Sequence, residues 1–364
     1  MRGSLPTPAT TASLLQALLL LTLLLAPTAS THVGPIQAES PQDEDDDGRS
    51  KYRTVERYVF AASIDGKAST PGTTRRLTPS GHFYQAHVHP TLDLVAVAGL
   101  REQDTTFNLW VCTLQGKELR CITDDLCLSV QPTWVPGTTR IVFVSSRGSD
   151  RSKEWKPVAS KVHLWMTDVD ASFYEQLTFG DHSDVRPMVS PDGREVVFLS
   201  DRSGEYHVWV LSLETKELRQ LVTGGGADSR PAWSPSGEWI VHGARKETDG
   251  RDPKLDPLLV LLNRRTGEEV GPVGLDRFAS MKGAFFLDES RILFHGRVKG
   301  ASRTTSTHAP PFGLWVWDRT TNQFERFELD GFEAAAHATV SADRRTLVFD
   351  SRENPAGVTR TGQD

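Results

Sequence analysis

The 364 residues are 38% hydrophobic and 24% charged, enough to bury one large all-β core or two smaller ones. The formal charge of −6 is nearly matched by one acidic run, Glu39, Asp43, Glu44, Asp45, Asp46 and Asp47. The remainder is close to neutral, so no general case for nucleic-acid binding follows.

In chain order, Arg2 precedes an apolar run from Leu14 to Ala26, broken only by Gln16 and Thr22 and followed by Pro27, Thr28, Ala29 and Ser30. Residues 1–30 read as a secretory signal peptide with small residues at the cleavage point. The run reaches roughly 20 Å, short of the roughly 30 Å hydrocarbon core, so no permanent membrane span is expected. Residues 31–52 are rich in Asp, Glu, Ser, Pro and Gln and read as a flexible acidic leader that cannot repay the entropy of ordering. Localisation is accordingly expected to be periplasmic or secreted.

Repeats decide the fold class. Arg186-Pro187-Met188-Val189-Ser190-Pro191-Asp192-Gly193 matches Arg230-Pro231-Ala232-Trp233-Ser234-Pro235-Ser236-Gly237, and each is followed by an apolar β-type run. With Pro187 and Pro231 as reference, Ala86, Pro132, Gly283 and Ala338 complete six copies. At fixed offsets stand Val95, Ile141, Val196, Ile240, Ile292 and Leu347, then Val97, Phe143, Phe198, His242, Phe294 and Phe349. Both rows share one face of a strand. A third row, at the next strand, holds Trp110, Trp165, Trp209, Leu259 and Trp315, with Tyr58 as its sixth member. This predicts an all-β, six-bladed β-propeller of four-stranded antiparallel blades over residues 53–353, followed by a flexible tail, 354–364. The last copy supplies only two strands. Residues 57–78 carry the pattern of strands three and four and end in Leu77-Thr78, as Leu177-Thr178 does. The N-terminal strands should therefore complete the C-terminal blade and close the ring.

Pro-x-Trp-Ser-Pro-x-Gly, then Phe-x-Ser-x-Arg-x-Gly as in Phe198 to Gly204, then Leu-Thr resembles the WD40-like (PD40) repeat of TolB-type propellers. The resemblance covers residues 57–352. It implies a six-bladed ring and a noncatalytic, protein-binding role at the cell envelope. TolB carries an α/β domain ahead of its propeller, where this sequence reads as the acidic leader. Related repeats occur in propellers fused to serine peptidases, but no Gly-x-Ser-x-Gly is present.

Chain direction puts the connectors between blades and the second-to-third-strand loops on one face, where Arg147–Lys161, Arg245–Pro257 and Arg297–Phe312 are long. The residue before each reference position should stand near the channel mouth on that face: Gln85, Gln131, Arg186, Arg230, Lys282 and His337. None is acidic or apolar. The set suits a carboxylate-bearing or acidic segment of an envelope or secreted protein, bound by a monomer; the structural reading is that Arg186 and Arg230 bond to neighbouring connectors. A second row, Arg101, Arg147, Arg202, Arg245, Arg297 and Arg352, ends strand two in every copy and reads as architectural.

His87-Val88-His89 could present two imidazoles together on one strand face, with Gln85 and His337 close by. Propeller lyases acting on oligogalacturonate use His and Gln ligands on related repeats, so a metal-dependent, oligosaccharide lyase-like enzyme or carbohydrate binder is the alternative function. No cofactor is expected in the main reading. Among Cys112, Cys121 and Cys127, a Cys121–Cys127 disulfide is expected, with Cys112–Cys121 as competitor.

Overall fold

The computed structural model describes residues 56–352 apart from 66, 102–103, 105, 149–160, 224–226, 245–257, 272, 275, 301–312, 333–334 and 342. The signal, leader and tail expectations, and most of the three long loops, lie outside the described residues.

The described chain forms six four-stranded antiparallel sheets and no helix. β1 (Tyr58–Ser63) and β2 (Arg75–Arg76) come first. Blade one is β3 (His82–Val88), β4 (Val95–Leu100), β5 (Asn108–Cys112) and β6 (Arg120–Cys121); blade two is β7 (Ser129–Trp134), β8 (Arg140–Ser145), β9 (His163–Asp168) and β10 (Glu175–Gln176). Blade three is β11 (Asp184–Val189), β12 (Glu195–Ser200), β13 (His207–Ser212) and β14 (Leu218–Gln220). Blade four is β15 (Ala227–Trp233), β16 (Trp239–Ala244), β17 (Leu258–Asn263) and β18 (Glu269–Val270). Blade five is β19 (Phe278–Phe286), β20 (Arg291–Val298), β21 (Gly313–Asp318) and β22 (Gln323–Arg326). Finally β23 (Ala336–Val340) and β24 (Thr346–Ser351) join the chain start in the order β2-β1-β24-β23.

The first strand of each blade touches the first strands of both neighbouring blades, and β23 against β3 closes the circle. The structure is thus a six-bladed propeller closed by its own two ends. Six residue pairs, from Tyr58 opposite Ser351 to Ser63 opposite Thr346, join β1 to β24. Phe60 stacks on Phe349 across that seam at a centroid distance of 5.7 Å.

Burial on both faces explains the composition of the second strands, where Val95, Ala96, Val97 and Ala98 are all fully buried, as are Val196, Val197 and Phe198. Each blade is covered front and back by its neighbours, so both alternating faces must be apolar. The Ser-Pro-Asp-Gly turns have a local cause: Ser190 Oγ donates to Asp192 Oδ1 at 2.6 Å, and Gly193 takes φ 72°, which glycine adopts without strain.

Register corrects two members of the third row. Trp110, Trp165, Trp209 and Trp315 stand opposite Val97, Phe143, Phe198 and Phe294, but Val260 rather than Leu259 faces His242, and Phe60 rather than Tyr58 faces Phe349. Tyr58 lies two residues away on the same strand face, which is why the pattern suggested it. The expected disulfides are also absent: none of Cys112, Cys121 and Cys127 is bridged. Cys121 faces Trp110 across the ladder, so Cys112 is only its diagonal neighbour, and diagonal pairs typically stand about 7 Å apart rather than the roughly 4 Å a bridge needs at Cβ.

Candidate functional site at the channel

Every inner strand contains the same irregularity. Two residues oppose one on the second strand: Gln85-Ala86, Gln131-Pro132, Arg186-Pro187, Arg230-Pro231, Gly283-Ala284 and His337-Ala338. This is a β-bulge, which re-aims the side chain of the extra residue. Its first residue stands in the left-handed region in five blades, with φ 55° at Gln85, 56° at Gln131, 58° at Arg186, 56° at Gly283 and 45° at His337. For the four non-glycine residues this is a local cost of about 1 kcal/mol or more each, carried by the surrounding sheet.

The bulges bring five of the six expected rim residues together. Gln85, Gln131, Arg186, Arg230 and His337, with Pro187, line one pocket. Lys282 is not in that set. It pairs directly with His295, and Gly283 holds the bulge position of blade five. The cause is a turn one residue shorter: Phe286 faces Ile292, whereas Val189 faces Val196, so counting across the turn displaces the reference by one.

Neighbouring blades pick up backbone donors freed by the bulges. Arg186 N donates to Gln131 Oε1 at 2.6 Å, and Gln85 N donates to Asp350 Oδ1 at 3.2 Å. Asp350 was not singled out by sequence reasoning. Fully buried, it also takes Arg57 Nη1 at 2.5 Å and His337 Nδ1 at 2.8 Å. Burial alone would raise its pKa, but His337 and Arg57 override it and hold the carboxyl below its usual range. A signal existed: the equivalent register positions hold Ala98, Val144, Leu199, Gly243 and His295, so Asp350 is the one carboxylate in that row.

The electrostatics beneath the rim are those of crowded cations. Arg230 is pushed down to about 10 by burial and then by the charge of Arg186, against the pull of Asp350. Gln85 is 6% exposed and its Oε1 has no hydrogen-bond partner. His87 is pushed down to about 3 by burial and then by the charge of Arg230, so that imidazole is neutral. His89 does not join it. Its Nε2 lies 2.8 Å from Thr138 O while Nδ1 accepts from Thr91 N and Leu92 N, so both ring nitrogens serve the backbone.

The arginine row divides. Arg101, Arg147 and Arg202 lie over Trp110, Trp165 and Trp209 at 4.5, 5.7 and 4.9 Å, and pair with Asp104, Asp125 and Asp184 respectively. These are architectural clamps. Arg297 instead falls inside the ladder opposite Ser280, and Arg277 covers Trp315 at 4.7 Å. Arg245 lies outside the described residues, and Arg352 follows the last strand.

Six radially arranged four-stranded blades define a β-propeller. Residues 80–251 match the family model described as PD40, TolB beta propeller domain. The chain is a six-bladed propeller whose residues 80–251 carry the TolB-like repeat. It superposes on a TolB candidate from Agrobacterium tumefaciens with TM-score 0.60 at 11% identity, covering 81% of this chain and 97% of that one. For TolB from Acinetobacter baumannii the values are 0.51 and 14%, covering 82% and 65%. An oligogalacturonate lyase in complex with manganese gives 0.52 and 14%, covering 78% and 81%. At these identities the likeness is one of fold. A comparison with curated protein sequences finds no match. No helix among the described residues is long and apolar enough to cross a membrane.

Proposed function

We propose that this propeller is an exported, noncatalytic protein-interaction module whose channel mouth receives a carboxylate-bearing or acidic segment of an envelope or secreted protein. The observation that supports it is the pocket itself: two arginines, two glutamines and a histidine converge there, and no acid lines it. Asp350, whose charge acts on Arg230, is fully buried and already engaged by Arg57, His337 and Gln85 N. An incoming anion relieves the repulsion between Arg186 and Arg230. At about 4 Å each cation contributes roughly 1 kcal/mol in water and about 4 kcal/mol in a half-dry site, less the cost of desolvation.

The left-handed backbone of the rim adds a second support. Strain of this kind persists where a fold holds side chains for a task. Here the bulge is shared by the blades, and the side chain it carries is what differs. The test is capture of partners from a native envelope fraction by wild-type protein and by an Arg186→Ala, Arg230→Ala variant. The variant should remain folded and lose the partner; an unchanged partner profile would contradict the reading.

A further inference from the structure

A second cluster lies outside the channel, where blade two hands over to blade three. His163 opens β9, His182 sits on the connector, and Asp184 opens β11. His163 Nδ1 and His182 Nε2 each lie 3.4 Å from the same carboxylate oxygen, Asp184 Oδ2, and the three atoms fall within 4.8 Å of one another. We propose that His163, His182 and Asp184 form a binding site for a zinc-class divalent metal ion that staples blade two to blade three.

The distances favour a metal over an ordinary ion pair. A charged N–H to carboxylate hydrogen bond closes to about 2.7–2.9 Å. Zinc with ligands at about 2.0–2.1 Å in a tetrahedron holds them about 3.3–3.4 Å apart. Both nitrogens lie at that spacing from Oδ2, while the cluster spans up to 4.8 Å, so the two rings close slightly on a bound ion. His182 Nε2 is buried without a hydrogen-bond partner while aimed at that oxygen, so it offers a lone pair with no other use among the described residues. The rings stand at 89° with centroids 5.7 Å apart, so they converge on the carboxylate without stacking.

The surroundings are built around these three groups. Arg202 Nη2 donates to the other oxygen, Asp184 Oδ1, at 2.8 Å, and Ser200 and Thr178 also hydrogen-bond the carboxylate. That is how outer partners fix a metal-bound carboxylate. A Cβ at Gly180, which has φ 126°, would meet the His182 ring at 2.4 Å, so the glycine makes room for the imidazole. Two histidines and one carboxylate leave a fourth position for water or a partner's side chain.

Zinc added to metal-stripped mature protein, against a competing chelator, should bind at one equivalent per chain and raise the unfolding temperature with concentration. Cobalt in its place should give the absorption bands of a tetrahedral site. His163→Ala and His182→Ala should each weaken zinc by more than the ~10–100-fold typical of outer-shell losses, with circular dichroism unchanged. Gly180→Ala should weaken it by displacing the ring, and His87→Ala in the channel should leave it unchanged. Absence of stoichiometric binding by folded wild type, or retention of affinity in either histidine variant, would overturn the assignment. Because partner capture is read at Arg186 and Arg230, the two results are independent.

Discussion

His337 Nδ1 lies 2.8 Å from Oδ1 of Asp350, and the same oxygen accepts the backbone N–H of Gln85 in the next blade. The pair joins the rim to the seam, because Oδ2 of Asp350 holds Arg57 at the start of the N-terminal strand pair. One buried carboxylate thus ties both ends of the propeller and the first bulge together.

Closure should be all-or-none. Deleting residues 53–78 removes β1 and β2, half of one blade, and should abolish cooperative thermal unfolding; deleting 31–50 should leave the transition in place. Asp350→Ala strands Arg57 and His337 and should cost about 3–5 kcal/mol in urea unfolding. A melting temperature equal to wild type in the 53–78 deletion would contradict the closure.

Acid sensitivity should come from two sources of opposite kind. Asp184 is held at about 2 against the burial that would raise it, by His163, Ser200, Thr178 and Arg202. A depressed carboxyl stabilises the fold above its unfolded pKa near 4, and this contribution, about 2 kcal/mol, is lost as pH falls towards 2. Histidine works at higher pH. Burial, and next His337, pushes His295 down to about 4, so between about 6.5 and 4 the unfolded chain takes up a proton that the folded chain refuses. Stability should fall through that window. His295→Leu, which restores the residue type of Leu199 in blade three, should flatten the decline, as read from urea midpoints at pH 7, 5.5 and 4.5.

The arginine clamps should differ in strength despite sharing one motif. Arg202 and Asp184 have side chains 12% and 0% exposed, whereas Arg101 is 37% exposed beside Asp104. Arg202→Ala should cost about 3 kcal/mol, by leaving a buried carboxylate without its cation, and Arg101→Ala about 1 kcal/mol. Equal losses in chemical denaturation would remove the distinction.

The blades were legible because burial on both faces forces long apolar runs, and the turn between strands one and two needs Ser, Asp and Gly at fixed places. Register was not. The shorter turn before Ile292 moved the bulge from Lys282 to Gly283, and a strand read two residues out, Tyr58 for Phe60, keeps its face and so hides the slip. Asp350 escaped because its meaning lies in Arg57, far away in sequence, and the cluster around Asp184 because His163, His182 and Arg202 come from separate segments that only the fold brings together.

Three reduced thiols are expected. Burial, and then Asp124, raises the Cys121 thiol to about 11, so little thiolate forms at neutral pH. A thiol reagent should count three sites in urea and react slowly with the folded protein. Fewer than three in urea without reductant would show a bridge.

The central claim is that the rim, not the clamps, binds the partner. Capture from the native envelope fraction should be run at low and high salt with wild type, the Arg186→Ala, Arg230→Ala variant and Arg101→Ala as a folded control. Each rim cation worth about 1.4 kcal/mol gives a tenfold loss, so the double variant should bind roughly a hundredfold more weakly, and wild-type capture should fall as salt rises. Arg101→Ala should capture normally. A double variant that holds the same partner as tightly as wild type at both salts would contradict the account.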